Sequence, residues 1–204
     1  MRPILVCRAD GSASIGGGHL LRVNALAEAW RARDLSVMLV TRKASDEFRH
    51  LVASGFRVPD SEIYWLEQDS EEADLSAMRV LANRLQQKHS PLWLVADGYH
   101  YTPQYLSAVA ELGFRVVLID DEASPPRMAE LGALGGISVI VNPNVYAKRS
   151  DYASVSSQTL LLLGLDYALL REQFLKSRTG SSRETTRADG CGSKLKLLVV
   201  GGAK

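Results

Sequence analysis

The feature of this 204-residue sequence that most limits its fold is the repeated alternation of short apolar runs with longer segments of helical period. Runs at 3–7, 36–41, 62–66, 92–96, 115–119 and 138–141 are bounded by turn residues, and each reads as a strand buried on both faces. Between them, the segments 19–33, 45–54, 70–88 and 103–112 place apolar side chains at helical spacing. In the third, Leu75, Met78, Leu81, Ala82 and Leu85 form one stripe, for which packing against a core is sufficient reason. Strand alternating with helix predicts an α/β fold built on a Rossmann-like parallel sheet.

Beyond Tyr146 the pattern changes. A further apolar run at 159–163 ends at Gly164, and 166–174 predicts a short helix. Residues 176–194 hold Ser, Thr, Gly, Arg and Lys with almost no apolar side chains, and read as a polar linker. The closing stretch then resembles the first strand of another α/β unit with the start of its Gly-rich turn. The expected organisation is a Rossmann-like domain over 1–165, a helix and linker over 166–194, and the first strand of a truncated second domain over 195–204.

Charge and cysteine content narrow the partners. Lys plus Arg number 24 against 23 Asp plus Glu, a net charge of +1, so no broad basic field exists to hold a nucleic acid or an anionic membrane. The two cysteines, Cys7 in an apolar run and Cys191 in a polar one, do not form a disulfide framework. The first apolar run is too short for a signal peptide, and no later run reaches the length of a membrane span. These features predict a cytoplasmic protein.

The stretch richest in chemistry is Arg8-Ala-Asp-Gly-Ser-Ala-Ser-Ile-Gly-Gly-Gly-His-Leu-Leu-Arg22. It leaves the first strand, passes through Gly16, Gly17 and Gly18, and enters a helix near His19. Glycines permit tight turning and close approach of a ligand to main-chain N–H groups, and the helix dipole favours negative charge there. The loop is not a standard nucleotide loop, because the third glycine of the dinucleotide fingerprint is missing and no Gly-Lys-Ser/Thr follows. On the first helical turn, the dipole favours a neutral imidazole at His19, the form that takes a proton from water; the alternative is a capping or packing histidine, against which the triple glycine, Asp10, Ser12, Arg8 and Arg22 weigh. Arg8 and Arg22 are candidates either to pair with Asp10 or to meet a phosphate or sugar hydroxyl.

Three more polar groups fall just past predicted strand ends, where open parallel sheets bind ligands: Asp97-Gly98-Tyr99, Asp120-Asp121-Glu122 and Asn142-Pro143-Asn144. Helix capping and turn chemistry account equally well for the last two. Adjacent carboxylates at Asp120 and Asp121 without a spaced third ligand argue only weakly for a metal, and no Gly-x-Ser-x-Gly elbow supports serine hydrolysis.

Taken together, Arg8-x-Asp10-x-Ser12-x-x-Ile15-Gly16-x-Gly18-His19-x-x-Arg22, Asp97-Gly98-Tyr99, Ile119-Asp120-Asp121, Asn142-Pro143-Asn144-x-Tyr146 and Leu163-Gly164-x-x-Tyr167-x-Leu169-Leu170-Arg171-x-x-Phe174 resemble the UDP-sugar hydrolases of pseudaminic acid biosynthesis. The resemblance implies a two-domain GT-B glycosyltransferase architecture, of which this chain would hold the N-terminal half with the C-terminal domain truncated. It implies hydrolysis of UDP-2,4-diacetamido-2,4,6-trideoxy-β-L-altropyranose to the free sugar and UDP, in effect glycosyl transfer to water, with no metal and no cofactor. His19 would activate the attacking water, with inversion at the anomeric carbon. Tyr99 would position sugar or water. Arg8, Asp10, Ser12, Gly16, Gly17, Gly18, Arg22, Asp97, Asp121, Asn142 and Asn144 would shape the substrate pocket. Two departures stand out: Gly98 occupies a place where Ser is more usual, and Asp121 is followed by Glu-Ala-Ser-Pro-Pro. The alternative is a glycosyltransferase-like or non-catalytic nucleotide-sugar-binding module, inactive without the UDP-binding domain. Apolar residues over 195–200 would then favour self-association or a second chain at the exposed inter-domain face.

Overall fold

A computed structural model of the chain describes residues 1–12, 15–43, 52 and 62–171. The expected helix over 45–54, but for Val52, the linker over 176–194 and the strand over 195–204 lie outside the described residues.

Seven parallel strands form one sheet: β1 (Arg2–Ala9), β2 (Ser36–Arg42), β3 (Ile63–Leu66), β4 (His89–Asp97), β5 (Phe114–Ile119), β6 (Ile137–Asn142) and β7 (Leu160–Leu163). Their spatial order is β3-β2-β1-β4-β5-β6-β7. The central run is buried on both faces as expected, β1 from Ile4 to Ala9, whereas β3, β5 and β6 mix buried with half-buried or exposed positions and β7 at the edge has no buried residue. The fold is therefore α/β and Rossmann-like. Strand order reverses at β1, which pairs with β2 on one side and β4 on the other, from Arg8 opposite Val40 to Ala9 opposite Asp97. Crossovers leave to opposite faces at that point and open a crevice above the C-terminal ends of β1 and β4.

Among the described residues, four helices with full bounds pack on the sheet: α1 (Gly18–Arg31), α2 (Glu71–Leu85), α3 (Pro103–Glu111) and α4 (Pro125–Leu134). On one face α1 sets Leu20, Val23 and Ala27 against Leu5, Cys7, Val95 and Ile119. On the other, Met78, Leu81 and Leu85 of α2 join Leu106, Val109, Met128 and Leu131 over Val6, Leu94, Leu118 and Ile140. Each fully buried aliphatic side chain contributes about 1.5–3 kcal/mol relative to exposure. Ser70 caps α2 by accepting from Ala73 N at 3.2 Å, with Glu71 and Glu72 in the first turn, and Thr102 caps α3 ahead of Pro103. No helix among the described residues is long and apolar enough to cross a membrane.

Two elements differ from expectation. Helix α4 is absent from the sequence reading, because only Met128 and Leu131 of its ten residues are buried and its ends, Pro125-Pro126 and Gly135, resemble turn chemistry. Over 166–174 the described part holds a single 3-10 turn, Leu165–Tyr167, since Ala168 is already extended at ψ 125°.

Candidate functional site

The loop after β1 carries the centre. Ser12 closes it: its carbonyl accepts from Gly16 N at 2.7 Å and its hydroxyl from Ile15 N at 3.1 Å. Gly16 sits at φ +77°, a left-handed conformation that a side chain disfavours. Gly17 and Gly18 have ordinary backbone angles, and a Cβ on either would meet nothing within 4 Å, so these glycines border open space. No side chain caps α1 at Gly17, and its first turn holds no acid.

His19, in that first turn, reaches Asp97 at the end of β4, Nδ1 to Oδ1 2.8 Å. A carboxylate only accepts, so this contact assigns a proton to Nδ1, and in the neutral ring Nε2 is then the acceptor. Asp97 is buried, and the imidazole is 12% exposed. Arg22 lies one turn further along α1, on the same side as His19. Its Nε and Nη2 donate to Asp97 Oδ2 and Oδ1 at 2.8 and 2.6 Å, and Nη1 donates to both oxygens of Asp121 at 2.6 Å. Burial opposes this guanidinium's charge, but hydrogen bonds and charge from Asp97 and Asp121 outweigh it and hold its pKa well above the ordinary value.

Tyr99 stands edge-on to the His19 ring, centroids 5.1 Å apart at 78°. Its hydroxyl donates to Asp121 Oδ2 at 3.3 Å. Burial, then the Asp121 charge, pushes the phenol's pKa up, so it remains a donor at neutral pH. Asn144 Nδ2 lies 3.4 Å from Asp121 Oδ1. Ile15, Gly18, His19, Arg22, Tyr99 and Asp121 line an open cleft of about 380 Å³.

Of the expected pocket residues, His19, Tyr99, Gly16, Gly17, Gly18, Arg22, Asp97, Asp121 and Asn144 thus gather around the cleft or its floor. Arg8, Asp10 and Asn142 are placed elsewhere. Arg8 is wholly enclosed, donating to both Asp10 oxygens, to Asp74 Oδ2 at 2.8 Å and toward the Val40 carbonyl. Asp10 also accepts from Arg42 N at 2.8 Å and faces His100 Nε2 at 3.3 Å. Burial alone would push this carboxyl up; hydrogen bonds from His100 and Arg8, with the Arg8 charge, hold it well below the carboxylate range. Buried Asn142 donates from Nδ2 to Tyr152 OH at 2.8 Å and its side-chain Oδ1 accepts from Asn144 N at 3.1 Å, shaping the turn after β6. Asp120 is likewise internal, accepting from Tyr152 OH and Ala123 N at 2.8 Å.

The sequence reading gave no role to two polar residues, Asp74, which it did not single out, and Tyr146, which it quoted only within a motif. Asp74 holds Arg8 from α2 and accepts from Tyr105 OH at 2.8 Å. Its signal was an acid in register with the buried positions Met78, Leu81 and Leu85. Tyr146, exposed beside the cleft, donates to the Asp121 carbonyl at 3.1 Å. Among the described residues, no three His, Cys, Asp or Glu side chains converge as metal ligands.

No family model matches the chain, and no curated protein matches it. Among solved structures it is similar to a UGT transferase from Siraitia grosvenorii in complex with UDP, at 17% identity and TM-score 0.43, over 65% of this chain and 31% of that one. It is also similar to a short-chain dehydrogenase/reductase double mutant from Serratia marcescens, at 11% identity and TM-score 0.43, over 82% of this chain and 98% of that one. A third is glucose-6-phosphate 1-dehydrogenase from Mycobacterium avium, at 11% identity and TM-score 0.40, over 79% of this chain and 35% of that one. The chain spans about a third of the length of the transferase. At TM-scores of 0.40 to 0.43 these likenesses carry no argument about chemistry, which is read from the side chains themselves.

Proposed function

We propose that the chain carries the sugar-side half of a nucleotide-sugar hydrolase in which His19 is the general base. One observation carries the reading: a buried carboxylate, Asp97, holds His19 Nδ1–H at 2.8 Å, leaving Nε2 as the acceptor on a ring that lines an open cleft.

In the reaction, His19 Nε2 takes a proton from water as the water oxygen bonds to the anomeric carbon. The bond from that carbon to the UDP oxygen breaks on the opposite face, and its electron pair leaves with UDP. Configuration inverts, as a single displacement requires. With the imidazole neutral, Asp97, Asp121 and Arg22 leave one net negative charge at the cleft floor. That charge favours both the imidazolium and the positive character developing at the anomeric carbon. The Tyr99 hydroxyl, the Asp121 carboxylate and the Asn144 amide suit sugar hydroxyl and acetamido groups. Arg22, already bonded to two carboxylates, is poorly placed to grip a diphosphate, whereas the uncapped start of α1 beside Gly17 and Gly18 suits negative charge. The resemblance of the motifs makes UDP-2,4-diacetamido-2,4,6-trideoxy-β-L-altropyranose the substrate of choice.

The test is UDP release from that sugar nucleotide by the 204-residue chain, without metal or acceptor, beside His19→Ala. The variant is expected to lose about 100-fold or more of the rate. Release only on addition of a hydroxyl acceptor would instead assign a transferase, and release from neither protein would overturn the hydrolase reading.

A further inference from the structure

The sequence leaves Arg22 two roles, substrate ligand or ion-pair partner, and its bonding separates them. A guanidinium has five N–H groups. Nε and Nη2 grip the two oxygens of Asp97, and Nη1 addresses both oxygens of Asp121. The remaining Nη2 edge lies 3.2 Å from His19 Nδ1, itself a donor to the same Asp97 oxygen. Little of the group is left to meet a ligand. Asp97 ends β4, whereas Asp121 follows β5, so Arg22 also ties two strand ends to α1.

We propose that Arg22 is the positioning residue of this centre: it fixes Asp97 in register with His19 and shares that carboxylate's charge, so that the imidazole keeps Nε2 open as a proton acceptor. This rests on His19 acting as the base. A lone buried carboxylate against an imidazole favours the imidazolium, which cannot accept a proton; a cation on the far side of the carboxylate weakens that preference. Among the described residues, the titratable and charged groups around the imidazole are Asp97 from β4, Tyr99 from the β4–α3 connection, Arg22 from α1 and, through Arg22, Asp121 from the β5–α4 connection. Arg22 is the cation among them. Lys would keep the charge without the two-pronged grip.

The experiment is a pH titration of the His19 ring signals by NMR in the native chain, Arg22→Lys and Arg22→Gln, with His19→Gln identifying the resonance. Removing the cation leaves Asp97 and Asp121 uncompensated, and Arg22→Gln is expected to move the midpoint upward by about one pH unit or more. Arg22→Lys is expected to move it less, in the same direction, and it decides the matter alone if the Gln variant does not fold. An unmoved midpoint in a folded variant would overturn the proposal. Since no substrate is present, this outcome is independent of UDP release: loss of the hydrolase reading leaves the titration standing, and the reverse. Where release is measurable, kcat is expected to fall at nearly constant KM and to recover in part with Lys, the opposite of losing a substrate ligand.

Discussion

Arg8 lies next to the end of β1 and Asp10 just past it; the guanidinium grips the Asp10 carboxylate, and both are buried with Asp74 closing the cluster from α2. A carboxyl held ionised this way links folding to pH. An unfolded Asp titrates at about 3.9, whereas the folded Asp10 carboxyl stays ionised well below that. From about pH 5 downward the unfolded chain takes up a proton that the folded chain refuses, so the stability contributed by Asp10 is complete above this range and lost as pH falls through it. Urea midpoints measured from pH 7 to pH 3 should therefore fall less steeply in Asp10→Asn, by up to about 1.4 kcal/mol per pH unit. An unchanged slope would remove Asp10 from the acid response. The sequence left open whether Arg8 pairs with Asp10 or meets a ligand. The buried pairing was not legible, because it depends on Asp74, which is distant in sequence and recognisable only as an acid at a core-facing position of α2.

At the scale of elements, close approach decides what α4 tolerates. A Cβ built on Gly132 would lie 1.8 Å from the Ser154 carbonyl oxygen, in the segment after the 3-10 turn Arg149–Tyr152. Ala is the better helix former, by about 1 kcal/mol. The backbone clash outweighs that gain, and Gly132→Ala is expected to lower stability by about 1–3 kcal/mol in urea unfolding. A variant as stable as the native chain would show that this contact yields freely. The same helix explains a limit of sequence reading. Strands announce themselves here as dense apolar runs, from buried β1 to edge strand β7, whose four leucines are exposed or half-buried; a helix with two buried side chains gives almost no periodic signal. Pro at its start and Gly after its end were the available marks, and they read equally well as turns.

The whole molecule turns on β1 lying between β2 and β4. Cys7 lies deep in β1, and burial pushes its thiol up to about 12, so it is protonated and enclosed at neutral pH. In a Cys191→Ser background, a thiol reagent should modify the folded chain at least about 1000-fold more slowly than the chain in urea, since access requires opening of the central sheet. Fast labelling would place a local opening at β1. The sheet and the crevice were readable from the alternation of runs, because strand ends in such a fold have a known side. The pairing of His19 with Asp97 was not, since their contact spans 78 residues and Arg22 reaches 99 residues to Asp121. That separation has a further consequence. A chain emerging from the ribosome presents His19 early, but the group that orients it arrives only with β4, and the second anchor of Arg22 only after β5. The chain could therefore be divided between β3 and β4 into two inert pieces, each holding half of the pair, and recovery of the His19 signal on mixing them would report that the central strands had found one another.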